Sequence, residues 1–139
     1  MKSIEVVAAI IENENQFLCV KRAKSKYPYI SMKFEFPGGK VEVGESLEQA
    51  IIREISEELN LSISVKSHLS TVTHDYPDFR IKMHGYLCTC ENRVLVLREH
   101  LDAVWANRDA LSVFDWAAAD IPFVDLLQSN EYEHISSVT

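Results

Sequence analysis

Apolar and polar positions along the chain fall into short blocks whose period changes from two to 3.6 and back. Ser3–Ile11 and Gln16–Lys21 are runs rich in Val and Ile, separated by the polar Glu12-Asn13-Glu14-Asn15, which predicts two strands joined by a short turn. Arg22–Ser31 is polar and aromatic with a proline, hence a loop, and Lys33–Phe36 reads as a short strand halted by Pro37-Gly38-Gly39. Ser46–Leu59 carries the strongest helical signature. Ser46 with Gln49 makes a capping box, and Asn60 suits the left-handed position beyond the last turn. Ile51, Ile52, Ile55 and Leu59 are expected to face the core from this helix. Ser62–Thr73 and Arg80–Cys90 are strand-like on either side of Tyr76-Pro77-Asp78, with further short strands at Val94–Leu97 and Ala103–Ala106. Asn107–Val113 and Ala119–Gln128 read as helices. Strands gathered around two or three helices predict an α+β fold, an α/β/α sandwich with a mixed sheet. No repeat, low-complexity tract or linker interrupts the 139 residues, so a single domain over 1–139 is expected.

Composition changes this picture little, but charge changes it more. A hydrophobic fraction of 47% and a charged fraction of 25% are those of a soluble globular protein. No apolar run approaches the roughly 20 residues that span a bilayer, and the N-terminus does not read as a signal peptide. Three cysteines without a signal peptide point to reduced thiols and a cytoplasmic protein, and no second close Cys or His pair completes a zinc site. The net charge of −7 argues against nucleic acid or an anionic membrane as partner. A polyanionic small substrate is disfavoured as well, unless a divalent cation intervenes.

The position of the acids answers that objection. Glu54, Glu57 and Glu58 stand at i, i+3 and i+4 on the predicted helix, within an arc of roughly 100° beside the apolar stripe. Like charges so spaced repel, and Arg53 is the only cation of the helix. Two readings are open on these residues alone: an acidic solvated face, or oxygen ligands for a hard cation such as magnesium. Pro37-Gly38-Gly39-Lys40, just upstream, allows close backbone approach to a metal or phosphate, with Lys40 as a point charge for polyphosphate oxygens.

The stretch Gly39-x5-Glu45-x7-Arg53-Glu54-Ile55-x-Glu57-Glu58-x-Asn60-Leu61 resembles the Nudix box, matching its charged positions at the family's spacing. Asn60 stands where the family usually has Gly, a small departure, since Asn is the next best residue for a left-handed helix end. Ile4–Ile11, Phe36–Glu42 and Ala119-Asp120-Ile121-Pro122 extend the similarity to the mutator-type (MutT-like) triphosphate diphosphatases, and within them to the CTP pyrophosphohydrolases. The resemblance implies a magnesium- or manganese-dependent hydrolase that cleaves a nucleoside triphosphate to monophosphate and pyrophosphate by water attack on the β-phosphorus.

By the same resemblance Glu54, Glu58 and the Gly39 carbonyl bind the metal, and Glu57 shares its shell. Arg53, within reach of Glu45 or Glu57, orients carboxylates. Glu99 falls at a second-lobe glutamate, as metal ligand, general base or plain loop carboxylate, and Arg22 matches an arginine near phosphate or base. Asp120 is either a base reader or the N-cap of the last helix; the oxidised-guanine enzymes carry Asn at that place. An ionised carboxylate there accepts from an exocyclic amino group such as cytosine N4, and tolerates adenine or guanine. Tyr27, Tyr29, Tyr76 and Phe79 are candidates to stack on the base, and the five histidines show no ligand pair. The alternatives are a Nudix hydrolase of another substrate (oxidised dGTP, a nucleotide sugar), a non-catalytic nucleotide sensor, or an acidic structural domain. Monomer and homodimer are both compatible with the sequence.

Overall fold

The computed structural model describes residues 1–132. Among them a mixed sheet forms the middle layer, built from β1 (Lys2–Asn13), β2 (Gln16–Lys21), β3 (Phe34–Glu35), β4 (Gly38–Lys40), β5 (Ser64–Asp75), β6 (Phe79–Thr89) and β7 (Asp102–Asn107). The order is β3-β2-β1-β6-β5, with β4 also on β1 and β7 also on β2. Only β1 and β6 run parallel, in register from Lys2↔Phe79 to Glu12↔Thr89. β1 and β2 meet through Glu14 and Asn15, both at positive φ, in a two-residue hairpin turn.

That hairpin splays. β1 and β2 pair only at Glu12↔Phe17 and Asn13↔Gln16 before they part. Residues 34–40 fill the gap: β3 adds to β2 at Val20↔Glu35 and Lys21↔Phe34, and β4 adds to β1 at Val6↔Lys40, Val7↔Gly39 and Ala8↔Gly38. Pro37, with no N–H to leave unpaired, stands between the two pairings, and its carbonyl accepts from Ala9 N at 2.7 Å.

Alternation along β1 sends Val7, Ala9 and Ile11 to one face and Ala8 and Ile10 to the other, so the middle of this central strand is apolar and buried on both sides. Helix α1 (Leu47–Leu59) covers the first face with Ala50, Ile51, Ile55 and Leu59, packed with Leu18 and Val20. Ile52, expected in the core, is 47% exposed, because one step of about 100° carries it past the edge of the buried stripe. Helix α2 (Ile121–Leu127) covers the second face, where Phe123 and Leu127 join Ile10 and Phe17. The result is the α/β/α sandwich read from the sequence. The capping box of Ser46 and Gln49 forms, and Asn60 ends α1 at φ 52°, ψ 38°.

Three elements differ from expectation. Val94–Leu97 is not a strand: its backbone lies across the end of α1, where Val96 N donates to Leu59 O at 2.9 Å. No basic residue stands in the last turn of α1, so its free carbonyls find partners in this segment instead. Asn107–Val113 becomes a 3-10 helix over Arg108–Val113, with Asn107 capping it through a 3.1 Å bond from Ala110 N. Ala119–Gln128 divides into a 3-10 turn, Ala118–Asp120, and α2, and the Asp120 side chain does not cap the helix.

Candidate active site

The C-terminal half of α1 and the β4 backbone face one another across a cavity of about 840 Å³. Its lining includes Arg22, Glu35, Gly39, Lys40, Glu54, Glu58, Glu99 and His100. Five of the six residues expected around metal and phosphate by resemblance (Arg22, Gly39, Glu54, Glu58 and Glu99) are thereby brought together, with Lys40 beside them. Glu57 is the exception. It is absent from that lining, its side chain is 61% exposed, and it pairs with Arg53 at 3.2 Å.

Arg53 organises the acids from behind. Its Nε and Nη2 donate to Glu45 at 2.9 and 2.6 Å, Nη1 donates to Glu54 at 2.9 Å, and Nη2 also donates to the Lys40 carbonyl at 3.0 Å. One planar fork thus ties α1 to β4 and to the loop before the helix. The hydrogen bonds from Arg53, then the Glu42 N–H, hold the Glu45 carboxyl down at about 2.

Gly39 is where the sheet touches the acids. A methyl group on its Cα would collide with the Glu54 carboxylate, 2.5 Å from Oε2 and 2.7 Å from Oε1. Glu58 lies deeper. Burial first, then the charges of Glu54, Glu99 and Glu35, push its carboxyl up to about 8. Its Oε2 is buried without a hydrogen-bond partner. Among the described residues no group of three His, Cys, Asp or Glu stands at ligand spacing. An orphaned carboxylate oxygen, a second carboxylate and a glycine backbone in contact with it make an all-oxygen set that fits a hard divalent cation.

A second cavity, about 390 Å³, adjoins the first and shares Arg22, Ser25, Glu35, Gly39 and Lys40 with it. Tyr27, Tyr76, Phe79, Ile81, Met83 and Asp120 belong to its lining. Asp120 is 3% exposed and accepts from Phe36 N at 3.0 Å. Its side chain thus lies against the sheet and not at the helix end, which removes the N-cap reading. Burial, then the charge of Glu35, raises its carboxyl well above the usual range. The aromatics largely stack on each other: Tyr29 on Tyr27 and on Tyr76, at 5.6 and 5.1 Å between ring centroids. The Tyr76 hydroxyl accepts from Ala119 N at 3.0 Å, and Tyr29 is not in the cavity wall.

Glu35 and His100 were not singled out in the sequence. Glu35 stands in the wall between the cavities; Arg22 Nη1 donates to its Oε1 at 3.0 Å, and His100 Nε2 lies 3.4 Å from its Oε2. A charged residue between Phe34 and Phe36, two positions before Pro37-Gly38-Gly39, was the available signal.

An acidic cavity beside the splayed hairpin adjoins a partly aromatic one. The NUDIX domain matches residues 2–127, and the chain belongs to the Nudix family of hydrolases, which act on nucleotide phosphoanhydride bonds and generally use a divalent metal, typically magnesium. It is 35% identical to the CTP pyrophosphohydrolase of Escherichia coli K12 over 90% of this chain and 91% of that protein. It is 29% identical to the 8-oxo-dGTP diphosphatase of the same organism over 92% and 98%. The solution structure of the E. coli ORF135 protein superposes with a TM-score of 0.76 at 32% identity, over 91% of this chain and 89% of that one. No helix among the described residues is long and apolar enough to cross a membrane.

Proposed function

We propose that the protein converts a nucleoside triphosphate and water to the monophosphate and pyrophosphate, with cytosine nucleotides preferred. The observation that carries this reading is the shared wall of the two cavities: Arg22, Glu35, Gly39 and Lys40 line both, so one nucleotide spans them with its phosphates among the acids and its base against Asp120. Glu54, Glu58, Glu99 and the Gly39 carbonyl would hold magnesium, or manganese in its place. A cation held there would neutralise the polyphosphate and polarise the bond that breaks. Lys40 and Arg22 meet the remaining phosphate charge. Arg53 keeps Glu54 turned towards the cavity, and Glu99 or Glu54 takes the proton of the attacking water. Water adds to the β-phosphorus in line with the departing nucleoside monophosphate.

Asp120 reads the base. When ionised it accepts from an amino group such as cytosine N4, which uracil lacks. The raised affinity of Asp120 for its proton gives a second reading some support: the neutral carboxyl donates, and suits a base carbonyl such as those of oxidised dGTP. The test is pyrophosphate release from CTP, dCTP, UTP, the purine triphosphates and oxidised dGTP, with magnesium and with chelator, in water enriched in heavy oxygen. CTP is expected to lead UTP by about tenfold to a hundredfold in kcat/KM, with label in pyrophosphate. Label in the monophosphate would move the attack to the α-phosphorus; turnover undiminished by chelator would remove the metal; orthophosphate as first product would remove the reaction.

A further inference from the structure

Glu99 sits on a connection, Cys90–Leu101, that contains no helix or strand. A carboxylate on a free loop must be ordered in every turnover, at an entropic cost. This loop is tied on both sides of Glu99. On the near side Arg98 Nη1 donates to the Glu57 carbonyl at 2.9 Å, and Arg98 N points to the Glu58 carbonyl at 3.4 Å. On the far side the His100 side chain is only 6% exposed, with Nε2 3.4 Å from Glu35 Oε2, and Leu101 N donates to the Lys21 carbonyl at 2.9 Å. One tie reaches α1 and the other reaches the strands β2 and β3, the two bodies that bound the acidic cavity.

We propose that Arg98 and His100 are positioning residues that hold the Glu99 carboxylate opposite Glu58, Arg98 through the last carbonyls of α1 and His100 through Glu35. Neither touches the substrate in this assignment; both act through Glu99. Arg98 uses carbonyls that the helix leaves unbonded, at residues whose side chains include the metal-facing Glu58, so the loop and the helix end keep one geometry. His100 is the buried anchor, and its contact with Glu35 keeps the loop against the wall between the cavities. The proposal rests on the reading of Glu99 as a group that faces metal or water.

The test is a double-mutant cycle in the full chain: Arg98→Ala, His100→Phe and His100→Gln, each alone and combined with Glu99→Gln, with amide hydrogen exchange of the metal-free proteins. Arg98→Ala and His100→Phe are expected to lower kcat about tenfold to a hundredfold, as a misplacement near 1 Å does, with KM for the nucleotide within about threefold of wild type. In the Glu99→Gln background each should cost less than about twofold more, since the group they position is already gone. His100→Gln can bring an amide N–H to the place of Nε2 and should recover most of the loss. Exchange at the Arg98 and Leu101 amides should quicken in Arg98→Ala and His100→Phe. Full-size losses that persist beside Glu99→Gln, unchanged kcat, or unchanged exchange would each overturn the proposal. Arg98 is exposed, so its variant keeps the test open if His100→Phe does not fold. Wild-type kcat in Glu99→Gln alone would remove this proposal and leave the nucleotide reading standing. The exchange measurement needs no turnover, and so decides the two ties independently of which nucleotide is hydrolysed.

Discussion

Replacing Gly39 by Ala should abolish most activity while leaving the fold in place. The new methyl group would lie 2.7 Å from Glu54 Oε1 and 2.5 Å from Oε2, against about 3.4 Å for ordinary contact. The carboxylate must then retreat by about 0.7–0.9 Å, away from the Gly39 backbone. A displacement of that size in a reacting constellation costs about 10²-fold in rate, and metal affinity should fall with it. Stability should change little. Gly39 does not have a positive φ, so Ala is conformationally allowed, and the colliding atoms belong to the far end of a side chain. Stiffening the unfolded chain contributes about 0.4–1 kcal/mol, which offsets part of the strain on the Arg53–Glu54 pair. Gly38→Ala is the control with opposite outcome. Its methyl would strike the Val7 carbonyl oxygen and lie 2.9 Å from Val7 C and 3.0 Å from Ala8 Cα, backbone atoms of the central strand that cannot retreat. Overpacking of this kind costs about 1–3 kcal/mol or more. Turnover, manganese affinity by electron spin resonance and thermal melts of both variants form the assay. A Gly39→Ala protein with wild-type turnover and manganese affinity would show that Glu54 does not act from the position it occupies against β4.

Glu58→Gln should remove activity but stabilise the metal-free protein at alkaline pH. The native carboxyl titrates near 8, against 4.5 for the free group, so the wild type loses stability as pH rises through that window; melts at pH 4 and pH 8 check the difference. For the same reason, metal binding below pH 8 should release a proton, seen as a buffer-dependent heat in titration calorimetry. Asp120→Asn should gain stability over wild type as pH rises from about 4, because the raised native carboxyl resists ionisation that the unfolded chain permits. Its CTP to UTP ratio should be smaller and flat with pH, whereas the wild-type ratio should grow as Asp120 ionises; a ratio unmoved by the substitution removes the base-reading role. Arg53→Lys should keep the charge yet lose the fork that spans Glu45, Glu54 and the Lys40 carbonyl, lowering kcat by at least about tenfold.

What could be read from the sequence was local. Ser46, Gln49 and Asn60 set the ends of α1 through contacts within a few residues, and the spacing of Glu54 and Glu58 along one helix fixed which acids share a face. Glu57 has the same spacing but a different partner, since Arg53 draws it outward, and a helical arc does not show on which side the sheet lies. Glu35 and His100 meet only because β3 inserts beside β2 and the Cys90–Leu101 connection returns to the same place, and contacts across 65 residues leave no local pattern. Val94–Leu97 has the composition of a strand, yet the bare carbonyls of α1 offered its backbone a nearer set of partners than any sheet edge. Asp120, at a helix start, was compatible with capping until the position of Phe36 N was known.

The splayed hairpin of β1 and β2 separates two kinds of risk. The backbone proposed to meet the phosphates is woven into the sheet on both sides, by β3 on one arm and β4 on the other, whereas the aromatic cavity takes much of its wall from the loop after β2 and the turn between β5 and β6. Lys26, Tyr27, Ile30, Tyr76 and Asp78 line the aromatic cavity and not the acidic one, so changes of sequence at these positions alter the wall proposed to meet the base and leave the lining of the acidic cavity as it is.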